Sequence, residues 1–348
     1  MTKRCQWAAS VMAATVVVGT LSAGAAFGTP AGSRGATPAP ISGARYAANP
    51  PGARIPVSRV AGSDRIGTSV AVSKLAFPIG GTAGAVVLAR SDAFPDALTG
   101  GPLAAHFHGP VLLTTPTALS AETSAELLRV LPTGKTVYLL GGPFALGPAV
   151  ESAVQNLGYQ VVRIAGSTRY ATAAAIAQTL GNPRTIFEAT GLNYPDALAG
   201  VPAAIITSAA ILLTAGSVQA PETAQYLAAH LPGTRYALGG QAGAADPTAI
   251  RIAGSDRFAT AIDVDARFFP SPTIIGVAGG AAFADGLAAG PYLGASSGPL
   301  VLVPSSGEPP AEVDSYLSGV AASVKTGYLF GGTLAVGTDT QAWVAGLA

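Results

Sequence analysis

The sequence predicts an α/β protein built from three tandem copies of one small unit, each with a parallel sheet. Two observations predict it. A heptapeptide occurs three times, as R-V-A-G-S-D-R from Arg59 to Arg65, R-I-A-G-S-T-R from Arg163 to Arg169 and R-I-A-G-S-D-R from Arg251 to Arg257. Within each copy, short apolar runs alternate with stretches of about three helical turns, and parallel strands require such crossover connections. The copies start 104 and 88 residues apart, a period too long for a solenoid and suited to small domains.

In the first copy the strand-like runs are Val57 to Ala61, Ala85 to Ala89, Pro110 to Leu113 and Thr136 to Leu140, short and rich in β-branched residues. The helical stretches between them carry recognisable start and stop signals. Asp64 to Phe77 follows Ser63 as an expected N-cap, and Asp96 to Phe107 begins just after Pro95. Ser120 to Leu131 has Glu122 in its first turn and stops at Pro132, while Pro148 to Leu157 stops at Gly158. The other copies keep these landmarks in register. F-P-D-A-L at Phe94 matches Y-P-D-A-L at Tyr194 and F-A-D-G-L at Phe283; Pro102, Pro202 and Pro291 each follow the aspartate by six residues; Gly141-Gly142, Gly239-Gly240 and Gly331-Gly332 close the patterns. The shorter second period falls mostly on the last helix of copy two, reduced to Ala242 to Thr248, whereas copy three retains Thr338 to Leu347.

Lys3 and Arg4, the apolar stretch Trp7 to Leu21 and Ala23-Gly24-Ala25 have the pattern of a secretory signal. The expected division is therefore a signal at 1–25, a flexible Ala-, Gly- and Pro-rich linker at 26–58, and repeats at 59–161, 162–249 and 250–348, with no additional catalytic domain. Cys5, the sole cysteine, would leave with the signal, so no disulfide or thiolate metal site is expected. Ala197 to Leu213 is long and apolar enough to raise the question of a membrane span. Its counterparts break at His106-Phe107-His108-Gly109-Pro110 and Ser296-Ser297-Gly298-Pro299, so it reads as a buried helix followed by a buried strand. No membrane span is expected after signal removal.

Without Lys3 and Arg4 the chain has 17 basic residues against 18 acidic ones, which gives no nucleic-acid-binding surface. Six of those basic residues are the ends of the heptapeptides. The inner arginines, Arg65, Arg169 and Arg257, stand at helix starts, where they would either complete an anion site or form a structural ion pair with Asp96, Asp196 and Asp285. The outer arginines, Arg59, Arg163 and Arg251, precede the turn and are better placed to meet an anionic polymer. The three aspartates fit helix-start capping or ion pairing better than acid catalysis, because Glu122, Glu222 and Glu312 are themselves explained by first-turn electrostatics. His106 and His108 have no counterparts in the other copies, and their spacing does not converge on a metal. No nucleophile, carboxylate pair, metal or cofactor is indicated.

The heptapeptide, the [FY]-P-D-A-L segment, the G-P-V-L-L-T strand from Gly109 and the closing Gly-Gly together resemble the cell wall-binding repeat 2 family. The resemblance covers Arg59 to the C-terminus. It implies Toprim-like or flavodoxin-like units packed about a pseudo-threefold axis as an intramolecular pseudo-trimer. It also implies attachment to the Gram-positive wall through an anionic secondary polymer, teichoic-acid-like or a phosphate-bearing polysaccharide. A secreted wall hydrolase and a self-assembling surface protein are the alternatives.

Overall fold

The computed structural model describes residues 54–347, so the expected signal at 1–25 and residues 26–53 of the expected linker lie outside the described residues. Strands and helices alternate throughout. The first repeat contributes β1 (Val57–Val60), α1 (Arg65–Ala76), β2 (Ala85–Arg90), α2 (Gly100–His106), β3 (Val111–Thr114), α3 (Ala121–Val130), β4 (Thr136–Leu140) and α4 (Pro148–Asn156). The second contributes β5 (Gln160–Ile164), α5 (Arg169–Thr179), β6 (Thr185–Thr190), α6 (Pro195–Ile206), β7 (Ala210–Thr214), α7 (Pro221–His230), β8 (Thr234–Leu238) and α8 (Gly239–Ala245). The third contributes β9 (Ile250–Ile252), α9 (Arg257–Phe268), β10 (Ile274–Gly279), α10 (Ala284–Ala295), β11 (Leu300–Val303), α11 (Ala311–Val320), β12 (Thr326–Phe330) and α12 (Thr338–Gly346).

These strands form three four-stranded parallel sheets, ordered β3-β2-β4-β5, β7-β6-β8-β9 and β1-β12-β10-β11. Each sheet is completed by the heptapeptide strand of the next copy, and the last by the strand of the first. Val57 pairs with Gly327 and Val60 with Phe330, so the chain closes into a ring. The sheet is thus offset by one strand from the sequence repeat. Ile55, inside the segment expected as linker, is 2 % exposed and packs in the core beneath the closing sheet; the folded body starts before residue 59.

The stretch Ala197 to Leu213 divides into helix α6 and strand β7, as its sequence counterparts imply, and no helix among the described residues is long and apolar enough to cross a membrane. Two local expectations are corrected. Asp64, not Ser63, caps α1: its Oδ1 accepts the Ile66 and Gly67 N–H groups, and Thr168 and Asp256 occupy the same place in the other copies. The carboxylate or hydroxyl must lie immediately before the first helical residue to reach the free N–H groups of the first turn. Helix α2 starts at Gly100 rather than Asp96, with Asp96 left in the preceding turn. Consecutive glycines at 100 and 101 weaken helical propensity there.

A central core draws on all three repeats, including Leu98, Leu198, Leu287, Val201, Phe187 and Leu302. Helices α2, α6 and α10 pack on one another at its middle. Glycine permits this approach: a Cβ on Gly101 would lie 2.4 Å from Val201 Cγ1, and one on Gly290 2.6 Å from the same atom. Outer apolar layers build repeats one and three, through Leu88, Leu127 and Val150 in one and Val277, Leu317 and Val344 in the other. Repeat two instead places Glu188 at the position of Leu88 and Val277, fully buried beside Gln219, Arg235 and Asp246.

Candidate functional site

The landmarks that recur in sequence meet where one repeat joins the next. Each inner arginine donates to the carbonyl just beyond its own repeat's second strand: Arg65 Nη1 to Ser91 O at 2.8 Å, Arg169 to Gly191 O at 2.5 Å, Arg257 to Gly280 O at 2.7 Å. Each guanidinium also lies over an aromatic ring of the preceding repeat, Arg65 over Phe283, Arg169 over Phe94 and Arg257 over Tyr194, at 5.6, 5.9 and 6.0 Å from the centroids. The three rings touch one another edge to face, with centroids 5.4 to 6.1 Å apart. The first residue of each F-P-D-A-L-like segment therefore lies at the centre of the ring, bracketed by arginines that gain from the electron-rich ring faces.

The aspartates face the same junctions. Thr172 donates to Asp96 Oδ1 at 2.8 Å, and Thr68 donates to Asp285. Each of these threonines also accepts the N–H of its own heptapeptide glycine, Gly166 and Gly62. Threonine thus holds a turn of one repeat and an acid of another. Among the described residues, no ion pair within 4 Å joins an inner arginine to Asp96, Asp196 or Asp285. The arginines act at longer range, drawing Asp196 and Asp285 down against the burial that raises both, with Asp196 reaching about 6.

The Gly-Gly pairs are the other wall of the junction. Gly141, Gly239 and Gly331 all have positive φ, between 81° and 106°. A Cβ there would stand 2.7, 2.1 and 2.4 Å from an oxygen of Asp96, Asp196 and Asp285 respectively. The glycine and the aspartate recur together because one leaves room for the other.

The outer arginines differ among themselves. Arg59 Nη1 donates to Gly331 O and Val336 O at 2.9 and 2.8 Å, and Nη2 donates to Gln341 Oε1 at 3.1 Å. Arg163 donates to Gly141 O at 2.8 Å and pairs with Glu151 at 2.7 Å. Arg251 is exposed, and its guanidinium makes no hydrogen bond or ion pair with any described residue. It lines a cleft of about 600 Å³ with Asp196, Arg257, Asn193, Gln241 and Ser217. Of the residues singled out from sequence, the structure brings each aspartate, Gly-Gly pair and inner arginine to one junction, with the outer arginine on its edge. The junction threonines, Asn193 and Gln241 were not singled out. A threonine three residues beyond each inner arginine in every copy was the available signal; Asn193 and Gln241 have none, since neither recurs.

Comparison with known proteins places this arrangement. The family model for Cell wall binding domain 2 (CWB2) matches residues 59–151, 163–246 and 251–341. The chain is 30% identical over 238 residues to the N-acetylmuramoyl-L-alanine amidase LytC of Bacillus subtilis (strain 168), a match covering 67% of this chain and 47% of that protein. It is 33% identical over 156 residues to the amidase enhancer of the same organism, covering 45% of this chain and 21% of the relative. It therefore spans less than half the length of these curated relatives. Cwp8 from Clostridium difficile superposes with a TM-score of 0.75 at 25% identity, over 84% of this chain and 52% of Cwp8. With the family model matched three times along most of its length, the chain belongs to the Cell wall binding domain 2 family.

Proposed function

We propose that the protein is exported and holds to the bacterial cell wall by non-covalent binding of an anionic secondary polymer, teichoic-acid-like or a phosphate-bearing polysaccharide. The observation that carries this reading is the match of all three repeats to a cell wall-binding family, in a chain whose junctions each bear heptapeptide arginines. Several weak contacts fixed on one rigid ring, engaging one repetitive polymer, add in avidity without any single strong site. Attraction between exposed guanidinium groups and an anionic polymer weakens as salt rises. The test is co-sedimentation with wall sacculi before and after chemical removal of secondary polymers. Pelleting with intact walls only, and release by salt, is the expected result; equal pelleting with stripped walls would sink the reading.

The likeness to an amidase motivates a second reading, a wall hydrolase. The two separate by zymography on cell walls, where clearing by the wild type that disappears in Asp96→Asn would favour hydrolysis.

A further inference from the structure

The junction between repeats two and three departs from the symmetry of the other two. Where Arg59 and Arg163 are tied down by carbonyls and side chains of the preceding repeat's last loop and helix, repeat two has a shortened segment in which α8 begins directly after β8. No described group replaces those partners. The Arg251 stem nevertheless has a defined course along α8: a Cβ on Gly243 would lie 2.9 Å from its Cδ, and one on Gly240 3.6 Å from its Nη2. The same Gly239-Gly240 step bears on Asp196, whose carboxylate accepts no hydrogen bond from any described residue. Thr260 stands where Thr68 and Thr172 bind their aspartates, but it only accepts, from Gly254 N–H. One junction thus leaves both a guanidinium and a carboxylate without hydrogen-bonding partners among the described residues, on the wall of one cleft.

We infer that this cleft is a subsite for a phosphate-bearing sugar: Arg251 takes the phosphoryl oxygens, Asp196 accepts from sugar hydroxyls, and the Asn193 NH2, whose own Oδ1 is held by the Tyr194 N–H, completes the lining with the Gln241 amide. This rests on the wall-polymer reading above. The planar guanidinium fork matches two phosphoryl oxygens at once. A bare anion is a poorer fit, because the Asp196 carboxylate, which Arg257 attracts but does not hydrogen-bond, would face it; a hydroxylated ring gives that carboxylate its missing donors. The other carboxylate in the lining, Asp256, already accepts the Phe258 and Ala259 N–H groups as the cap of α9. A volume of about 600 Å³ lies in the range of small-molecule sites. Polymer recognition would then be unequal among the three junctions, with the open one contributing most.

The experiment is a calorimetric titration of the protein with glucose 1-phosphate, with inorganic phosphate and glucose titrated separately. Glucose 1-phosphate should bind more tightly than either fragment. Arg251→Ala should weaken it about tenfold or more, as loss of a charge-assisted pair implies, and Gln241→Glu, which adds a carboxylate to the cleft, should weaken it likewise. Lys135→Ala, an exposed cation far along the chain, serves as the charge control and should not change it. Because the Arg251 side chain bonds to no described group and alanine keeps the β9 backbone, its truncation leaves the fold intact, checked by an unchanged melting curve. No binding of glucose 1-phosphate, or equal binding by wild type and Arg251→Ala, overturns the subsite. Sedimentation of Arg251→Ala separates the two ideas. If the variant pellets like wild type with intact walls and neither pellets with stripped walls, the wall-polymer reading stands and the subsite falls. If wild type pellets equally with stripped walls, the wall-polymer reading falls while the titration still decides the cleft.

Discussion

The Thr172 hydroxyl donates to Asp96 Oδ1 at 2.8 Å across a repeat boundary while accepting the Gly166 N–H at 3.1 Å. One small side chain therefore fixes both a heptapeptide turn and the neighbouring unit's acid. Thr172→Val keeps the shape and removes both bonds, leaving a half-buried carboxylate and an N–H without their partner. A loss of about 1–3 kcal/mol is expected, seen as a lower melting temperature, with most of it restored in Thr172→Ser.

Adjacent glycines should respond very differently. Gly141 has φ of 90°, and a Cβ on it would stand 2.5 Å from Ala145 Cβ and 2.7 Å from Asp96 Oδ2. Gly142 has open space around its Cβ position. Gly141→Ala should cost about 2 kcal/mol or more through backbone strain and displacement of Asp96, and Gly142→Ala no more than about 0.5 kcal/mol. Denaturant unfolding of the pair measures the difference.

Glu188 sets the pH dependence of repeat two. Burial raises its carboxyl from 4.5 to about 7; the Gln219 hydrogen bond opposes this, and the nearby Asp246 adds to it. Below the ordinary value both folded and unfolded chains hold the proton. As pH rises towards 7 the unfolded chain ionises first, so stability falls across this window. Asp196, raised to about 6, acts in the same direction at the lower end. Burial also pushes the fully buried Asp265 carboxyl well up, so the slope above pH 6 is shared, and Glu188→Gln should reduce it while making the protein more stable than wild type at pH 8. Urea midpoints at pH 5, 6, 7 and 8 give the comparison; an unchanged slope would show that Glu188 is ionised throughout.

Closure of the ring depends on the segment before the first heptapeptide turn. Ile55 is buried, and β1 covers the edge of β12. Ile55→Ala should cost about 2–4 kcal/mol as a core truncation. Removing residues 1–60 exposes the β12 edge and should produce association, because unpaired strand edges template pairing. Light scattering after size exclusion reads it directly.

Much of this organisation is legible in the sequence. The strand and helix runs of the first copy fall within a few residues of the observed elements, because their punctuation by Pro, Gly and capping residues is local. What is not legible is membership across the junctions. Nothing in Arg163 to Ile164 says that this strand hydrogen-bonds to β4 rather than to a strand of its own copy; that choice is made by long-range packing. The freedom of Arg251 is half legible. The deletion in copy two is visible as a shorter period, but its meaning requires knowing that the deleted segment supplies the groups that hold Arg59 and Arg163. Glu188 is similar: alone it reads as a misplaced charge in a buried strand, and Arg235 and Asp246 become its neighbours only once β8 and the loop after α8 are folded against it.

Because β1 completes the sheet that ends the chain, the order of the repeats is a covalent accident rather than a structural one. A gene rearranged so that translation begins at β5, with residue 347 fused to residue 54 and the first copy placed last, would encode the same three sheets with the same neighbours. The converse holds for excision: a single copy cut at the sequence repeat carries a strand meant for someone else's sheet and lacks the one meant for its own. Three copies are then the smallest inheritable unit of this fold, and gain or loss of one would have to reopen the ring.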